Sequence, residues 1–280
     1  MSGDTREDAE RPDAGVGNDA VKTVSDVRMP VLFLGHGSPI NAIEENAFSR
    51  AWADASGPIP RPRAVLCISA HWETDGTRVT ATERPATIHD FSGFPRPLYE
   101  VSYPAPGSPE LARRVVATVR GARVGLDPDR GLDHGAWSVL RRMYPEADIP
   151  VLQLSLDRTK EPAVHYGLGK ELAALRREGV LIVGSGNLVH NLGLMTWEDK
   201  AYDWAIEFDE TVKRLILSGD HDAIVRYPEL GRVARLSVPT NEHFLPLLYV
   251  LALQEKGEGI RFFSDQVTLG SISMRSLSIG

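Results

Sequence analysis

The chain has 280 residues, 42% of them hydrophobic and 25% charged, with a net charge of −7 and a single cysteine. This is the composition of a globular protein long enough to bury a core, and it excludes collagen-like, disulfide-framed and wholly disordered chains. The acidic balance argues against a broad basic surface for nucleic acid or an anionic membrane. One cysteine excludes an intrachain disulfide and a thiolate metal cage, so any metal takes nitrogen and oxygen ligands.

Residues 1–28 are polar and lack apolar periodicity, which predicts a disordered tail. They also lack the basic start and apolar stretch of a secretory signal. The chain contains no run of roughly 18 apolar residues, so no membrane span is expected. The absence of disulfides suits a reducing compartment, and the expectation is a cytoplasmic protein.

Folded sequence begins at 30–34, Pro-Val-Leu-Phe-Leu. Similar apolar runs follow at 64–68, 151–154 and 180–183, and continuous runs of this kind suit strands covered on both faces. Ser108-Pro109 reads as a cap and first turn, with Leu111, Val115 and Val119 on one helical face. Pro162 opens a second helix, with His165, Leu168, Leu172 and Leu175 in one stripe and Gly179 as its stop. A long helix is expected over 197–217, a last one after His243, and extended chain over 259–280. Strands alternating with helices predict an α/β fold of three layers, with a mostly parallel or mixed sheet flanked by helices. Without a repeat or long linker, residues 29–280 read as a single domain.

The eight histidines are the most informative feature. His36 follows the first predicted strand, His71 the second, and His190 lies shortly after the run at 180–183. His243 comes after the short apolar run 236–238. In open α/β sheets ligands bind beyond the carboxyl ends of strands. Any one of these histidines reads naturally as a loop residue, but four at strand-end turns point to one shared site. Glycines beside them, as in Gly35-His36-Gly37 and Gly184-Ser185-Gly186, allow tight turns there.

Other candidates rank below these. His134 stands in a glycine-containing turn before a helix, positioned to hydrogen-bond a substrate or to serve structure. His89 reads as structural, His165 as a packed core residue and His221 as a solvated loop residue. Cys67 lies in an apolar run and reads as an inert buried thiol. Glu73 and Glu242 adjoin the histidines as weak ligand candidates, and Arg96 is a candidate partner for a substrate carboxylate. A nucleophile elbow and a phosphate loop are both absent.

Taken in order, GHGSP, SAHWET, HDFSGFP, LDHGAW, GNLVHN and NEHFLPLL resemble the 4,5-DOPA dioxygenase extradiol family, the stand-alone branch of the class III (LigB-type) extradiol ring-cleavage dioxygenases. The resemblance runs from about residue 29 to the C-terminus. It implies that His36, His71 and His243 hold a metal. It also implies that His190 lies close to that metal, as a fourth ligand or as the acid/base, and that His134 acts near dioxygen and substrate. Iron(II) is the implied working metal, with zinc as an alternative occupant. The implied partners are a small catechol and dioxygen, in a monomer or small homo-oligomer. A zinc hydrolase using the same histidines and a non-catalytic metal-binding interaction protein are the competing readings.

Overall fold

A computed structural model describes Met1, residues 28–198 and residues 200–280. The tail expected over 1–28 lies outside the described residues, apart from the residues at its two ends.

Among the described residues ten strands form: β1 (Val31–Gly35), β2 (Ala64–Thr74), β3 (Thr77–Thr80), β4 (Val124–Asp127), β5 (Val151–Asp157), β6 (Val180–Gly186), β7 (Ile260–Phe263), β8 (Val267–Thr268), β9 (Ile272–Ser273) and β10 (Ser276–Ile279). Eight of them build one sheet in the order β4-β3-β5-β2-β6-β1-β10-β7, while β8 and β9 pair separately. The central four, β5, β2, β6 and β1, are mutually parallel. They include all four predicted runs, whose residues are buried on both faces as such runs require. β10 and β7 extend the sheet antiparallel at one side, and β3 joins β5 antiparallel at the other. The expected α/β class therefore holds, with a mixed sheet.

Alternation along the central strands sends side chains to two cores. Leu32, Leu34, Leu181 and Val183 pack with Trp52 of the helix Ala47–Ser56 and with Trp137 and Leu140 of the helix His134–Met143. Val31, Phe33, Ile182 and Leu154 face the opposite layer, which includes the helices Pro109–Thr118, Pro162–Glu171, Asp203–Ser218 and Leu245–Ala252. Every residue of Leu245–Ala252 is buried, so this helix lies inside that layer. Among the described residues no helix is long and apolar enough to cross a membrane.

Three expectations need correction. The stripe from Pro162 divides into two helices, Pro162–Glu171 and Ala173–Arg177, because the chain tightens at Leu172, whose N–H donates to Gly169 O (3.1 Å). The helix expected over 197–217 begins only at Asp203. Its first residues pair with extended chain instead: Ala201 bridges Gly270, and Tyr202 N donates to Gly270 O (2.9 Å). The run 236–238 is not extended but closes the helix Arg232–Ser237, since three residues are too few for periodicity to separate the two forms.

The C-terminal strands are held by two buried arginines. Arg176 donates from Nε to Met29 O (2.8 Å) and from Nη1 to Leu253 O (2.6 Å), fixing the entry to β1. Arg275, just before β10, donates from Nε to Asp209 Oδ2 (2.7 Å) on the helix Asp203–Ser218 and from Nη1 to Asp265 Oδ1 (2.6 Å). Removing one partner of a buried ion pair leaves a desolvated charge and costs about 3 kcal/mol or more. Asp209→Ala is therefore expected to destabilise the protein by about 3 kcal/mol, read as a lower urea midpoint with an unchanged slope.

Candidate metal centre

β1, β2 and β6 run parallel and deliver histidines to one edge of the sheet. His36 directly follows β1, and its backbone N–H donates to Gly186 O at the end of β6 (3.1 Å). His71 lies within β2 and not after it, because β2 continues to Thr74 beyond its apolar run. The pairing shifts here: β2 advances from Ile68 to Glu73 while β5 advances only from Leu154 to Leu156. A bulge of this kind re-aims side chains, and His71 lies within it. His243 arrives from the opposite layer, just ahead of the helix Leu245–Ala252, with its carbonyl accepting from Asn187 N (2.9 Å). That approach requires Gly186, where a Cβ would stand 2.1 Å from His243 O.

One nitrogen each of His36, His71 and His243 lies within 4.8 Å of the others. The Nε2 atoms of His36 and His71 are 3.1 Å apart. Two nitrogens each about 2.1 Å from a shared ion stand about 3.0 Å apart at a right angle and about 3.4 Å apart at the tetrahedral angle. The observed separation falls in that interval.

Hydrogen-bond partners locate the ring protons. Ser185 Oγ donates to Gly135 O (2.6 Å), so it accepts from His36 Nδ1 (3.0 Å). Glu242 Oε1 accepts from His243 Nδ1 (2.9 Å), and Asp90 Oδ2 lies 3.4 Å from His71 Nδ1. With a proton on each Nδ1, every Nε2 keeps a bare lone pair. His243 Nε2 is buried and has no hydrogen-bond partner among the described residues. Lone pairs facing each other at this range repel unless a cation lies between them, so the donor set fits a metal bound through three Nε2 atoms.

The electrostatics agree. Burial, followed by the neighbouring imidazoles, holds His36 and His243 well below the ordinary histidine range. Burial is also the main cause that lowers His71 and His190 to about 4. These rings are neutral near pH 7, the state in which imidazole ligates a metal or accepts a proton.

The two remaining candidates line the same space. His190 stacks on His243 with ring centroids 3.4 Å apart and planes within 10°. Its backbone N–H donates to Ser237 O (2.9 Å), and it bridges Ile272. By nitrogen positions it groups with Glu242 and His243 and not with the His36–His71 pair. His134 opens the helix His134–Met143, its ring 3.9 Å from that of His71 and 5.7 Å from that of His36.

The other candidates lie apart from this cluster. His89 Nε2 donates to Val101 O (3.0 Å), and His165 is buried against the Tyr249 hydroxyl (3.0 Å). His221 is half-buried at the start of a short helix, its ring on the Tyr166 hydroxyl (2.9 Å), and is not the solvated loop residue expected. Arg96 is exposed and paired with Glu100. Cys67 is buried, with its thiol pushed up by burial. Glu73 is raised by partial burial and by Glu242, and joins none of the three-residue ligand groups.

Sequence reasoning passed over the residues that orient the rings. Asp133 is fully buried and caps the helix His134–Met143 through Ala136 N (3.1 Å). It also accepts from Ser69 Oγ (2.7 Å), Gln153 Nε2 (2.7 Å) and Arg130 Nη2 (3.0 Å). An aspartate directly ahead of a helix was a readable cap signal, whereas its partners on β2 and β5 were not. Asp90 stood inside a quoted motif and Ser185 between two of the named glycines, but neither carried a signal of its own.

The LigB family, described as the catalytic LigB subunit of aromatic ring-opening dioxygenase, matches residues 31–270. An Escherichia coli K12 protein named 4,5-DOPA dioxygenase extradiol is 49% identical over 263 residues, covering 92% of this chain and 97% of the relative. A Beta vulgaris protein of the same name is 42% identical over 77% of this chain and 83% of its own length. A crystal structure of an uncharacterized Escherichia coli K12 protein superposes with a TM-score of 0.80 at 44% identity, covering 90% of this chain and all of that one.

Two substitutions test the geometry. His243→Ala is expected to remove stoichiometric binding of zinc to metal-free protein. Gly135→Ala alters no proposed ligand, yet its Cβ would meet Ser69 Oγ at 2.4 Å and His71 Cδ2 at 2.9 Å. It is expected to weaken zinc affinity by about 10–100-fold through displacement of His71. Calorimetric titration reads both, and wild-type affinity in either variant would contradict the arrangement.

Proposed function

The chain belongs to the LigB family of aromatic ring-opening dioxygenases and is an oxidoreductase; on that premise we propose that it cleaves a small catechol, with dioxygen, at a site where His36, His71 and His243 hold one iron(II). The observation that carries this reading is the 3.1 Å approach of two Nε2 atoms whose rings turn Nδ1 toward Ser185 and Asp90. Iron is chosen over zinc because zinc has no redox chemistry, although the same three imidazoles suit either ion. When bound, iron(II) supplies the route by which electrons pass from a chelated catechol to dioxygen. Residues 29–280 act as one catalytic unit, a reading supported by a sheet that draws strands from both ends of that stretch.

The side chains manage protons and orientation. His190 is neutral near pH 7, because burial lowers it to about 4, and it receives a proton from a catechol hydroxyl. Its stacking on His243 and its backbone bond to Ser237 fix the ring without engaging it in a side-chain bond. We assign it to proton transfer and not to a fourth ligand position, consistent with its separation from the His36–His71 pair. His134 gives its Nδ1–H to Asp90 (3.0 Å), which leaves Nε2 to hydrogen-bond substrate or dioxygen. Burial around the cluster excludes competing water and strengthens each of these bonds.

The test is anaerobic loading with iron(II), followed by air and a panel of catechols. Oxygen uptake matched by ring-opened product is expected, and His190→Ala is expected to lower kcat by about 10²–10⁴-fold with iron still bound. No uptake with any catechol, or hydrolytic turnover with zinc alone, would overturn the proposal.

A further inference from the structure

One carboxylate touches two of the clustered rings. Asp90 Oδ1 accepts from both the backbone N–H of His134 (2.9 Å) and its Nδ1 (3.0 Å), while Oδ2 faces His71 Nδ1 at 3.4 Å. The two rings so joined have centroids 3.9 Å apart. By contrast, Glu242 serves only His243 among the rings, and His36 rests on the neutral Ser185 hydroxyl.

The loop that carries Asp90 is anchored beside the residues it orients. Ile88 N donates to Leu132 O (2.7 Å), and Leu132 N donates to Ala86 O (2.7 Å). Trp137 Nε1, from the helix that His134 opens, donates to Ile88 O (2.8 Å). His89 Nε2 fixes the next residue to Val101 O (3.0 Å). Asp90 is thus held against the same helix whose other end of the network, through Asp133 and Ser69, reaches the bulge that carries His71. Each Asp90 oxygen thus faces a ring nitrogen, Oδ1 that of His134 and Oδ2 that of His71.

We propose that Asp90 is a positioning residue that places the Nδ1 protons of His71 and His134 together, turning the Nε2 lone pair of one toward the metal and that of the other toward the substrate. This rests on the reading of His71 as a metal ligand and His134 as a substrate-facing ring. A carboxylate behind a ligating imidazole fixes its tautomer and raises its basicity, and loss of such a partner weakens metal binding by about 10–100-fold. Here a single substitution disturbs both rings at once. An asparagine retains one acceptor but turns an amide N–H toward the other partner, so at least one ring must change tautomer or rotate.

The test uses zinc as the probe, with chelator competition for affinity and ¹⁵N NMR of the histidine rings for tautomers. Metal-free wild type is expected to show both His71 and His134 protonated at Nδ1; Nε2–H on either ring overturns the proposal without any variant. Asp90→Asn is expected to weaken zinc binding by about 10–100-fold and to change the tautomer signal of at least one of these two rings while leaving those of His36 and His243 in place. Asp90→Glu, which keeps the charge, is expected to recover part of that affinity. Wild-type affinity in Asp90→Asn, or unchanged tautomer signals at both rings, overturns the proposal. His71→Ala separates this failure from that of the ligand assignment. If it too keeps wild-type affinity, His71 is not a ligand; if it loses zinc while Asp90→Asn does not, the positioning role alone fails.

Discussion

An imidazole nitrogen removed from water must find a proton donor, a hydrogen to give, or a cation, and this molecule removes several at once. Burial and mutual proximity keep the rings of His36, His71 and His243 neutral; the Nδ1 atoms of His36 and His243 are hydrogen-bonded to oxygens, and that of His71 faces the Asp90 carboxylate. What remains is a set of lone pairs directed at one another across the distance that two ligands of a common ion would keep. Without a cation that arrangement is repulsive, and with one it becomes the point of the fold. Much of the surrounding structure is explained by the need to keep it.

The scaffold meets that need mainly through backbone. Parallel strands bring three chain segments to one edge, the bulge in β2 carries His71, and the closeness of Gly186 to His243 joins the sheet to the layer of the helix Leu245–Ala252. Beneath the rings, Asp133 gathers groups from β2, β5 and the loop before the helix His134–Met143 into one satisfied buried anion. Such a network is costly when partly satisfied and rigid when complete. The carboxylates around this site are therefore placed behind the imidazoles instead of among them. A bound metal would carry its compensating negative charge at second hand, through Asp90 and Glu242, while its own contacts stayed neutral.

Membership of the LigB family settles the reaction class and leaves the substrate to the site. Arg96, the one candidate that sequence reasoning offered for a substrate carboxylate, is exposed and already paired with Glu100. Other groups lie directly at the histidines. The hairpin β8–β9 is one element so placed, since Ile272 bridges His190 and the adjoining segment is tied by Arg275 to the helix Asp203–Ser218.

The sequence by itself determined the layers and singled out the histidines that the fold brings together. Short continuous apolar runs suit strands covered on both faces, and histidines next to their ends can gather where parallel strands terminate. It misjudged His71, whose strand continues through polar residues past the run, and the start of the helix Asp203–Ser218, where pairing with distant Gly270 overrides local pattern. The short strands β3 and β4 were missed because four residues carry too little periodicity. Only the tertiary structure decided which ring nitrogen faces inward, which carboxylate lies behind which ring, and that one aspartate serves two of them. Those facts depend on the relative placement of residues dozens of positions apart, Asp90 with His134 and Ser185 with His36. No local rule of spacing encodes a contact made by long-range packing.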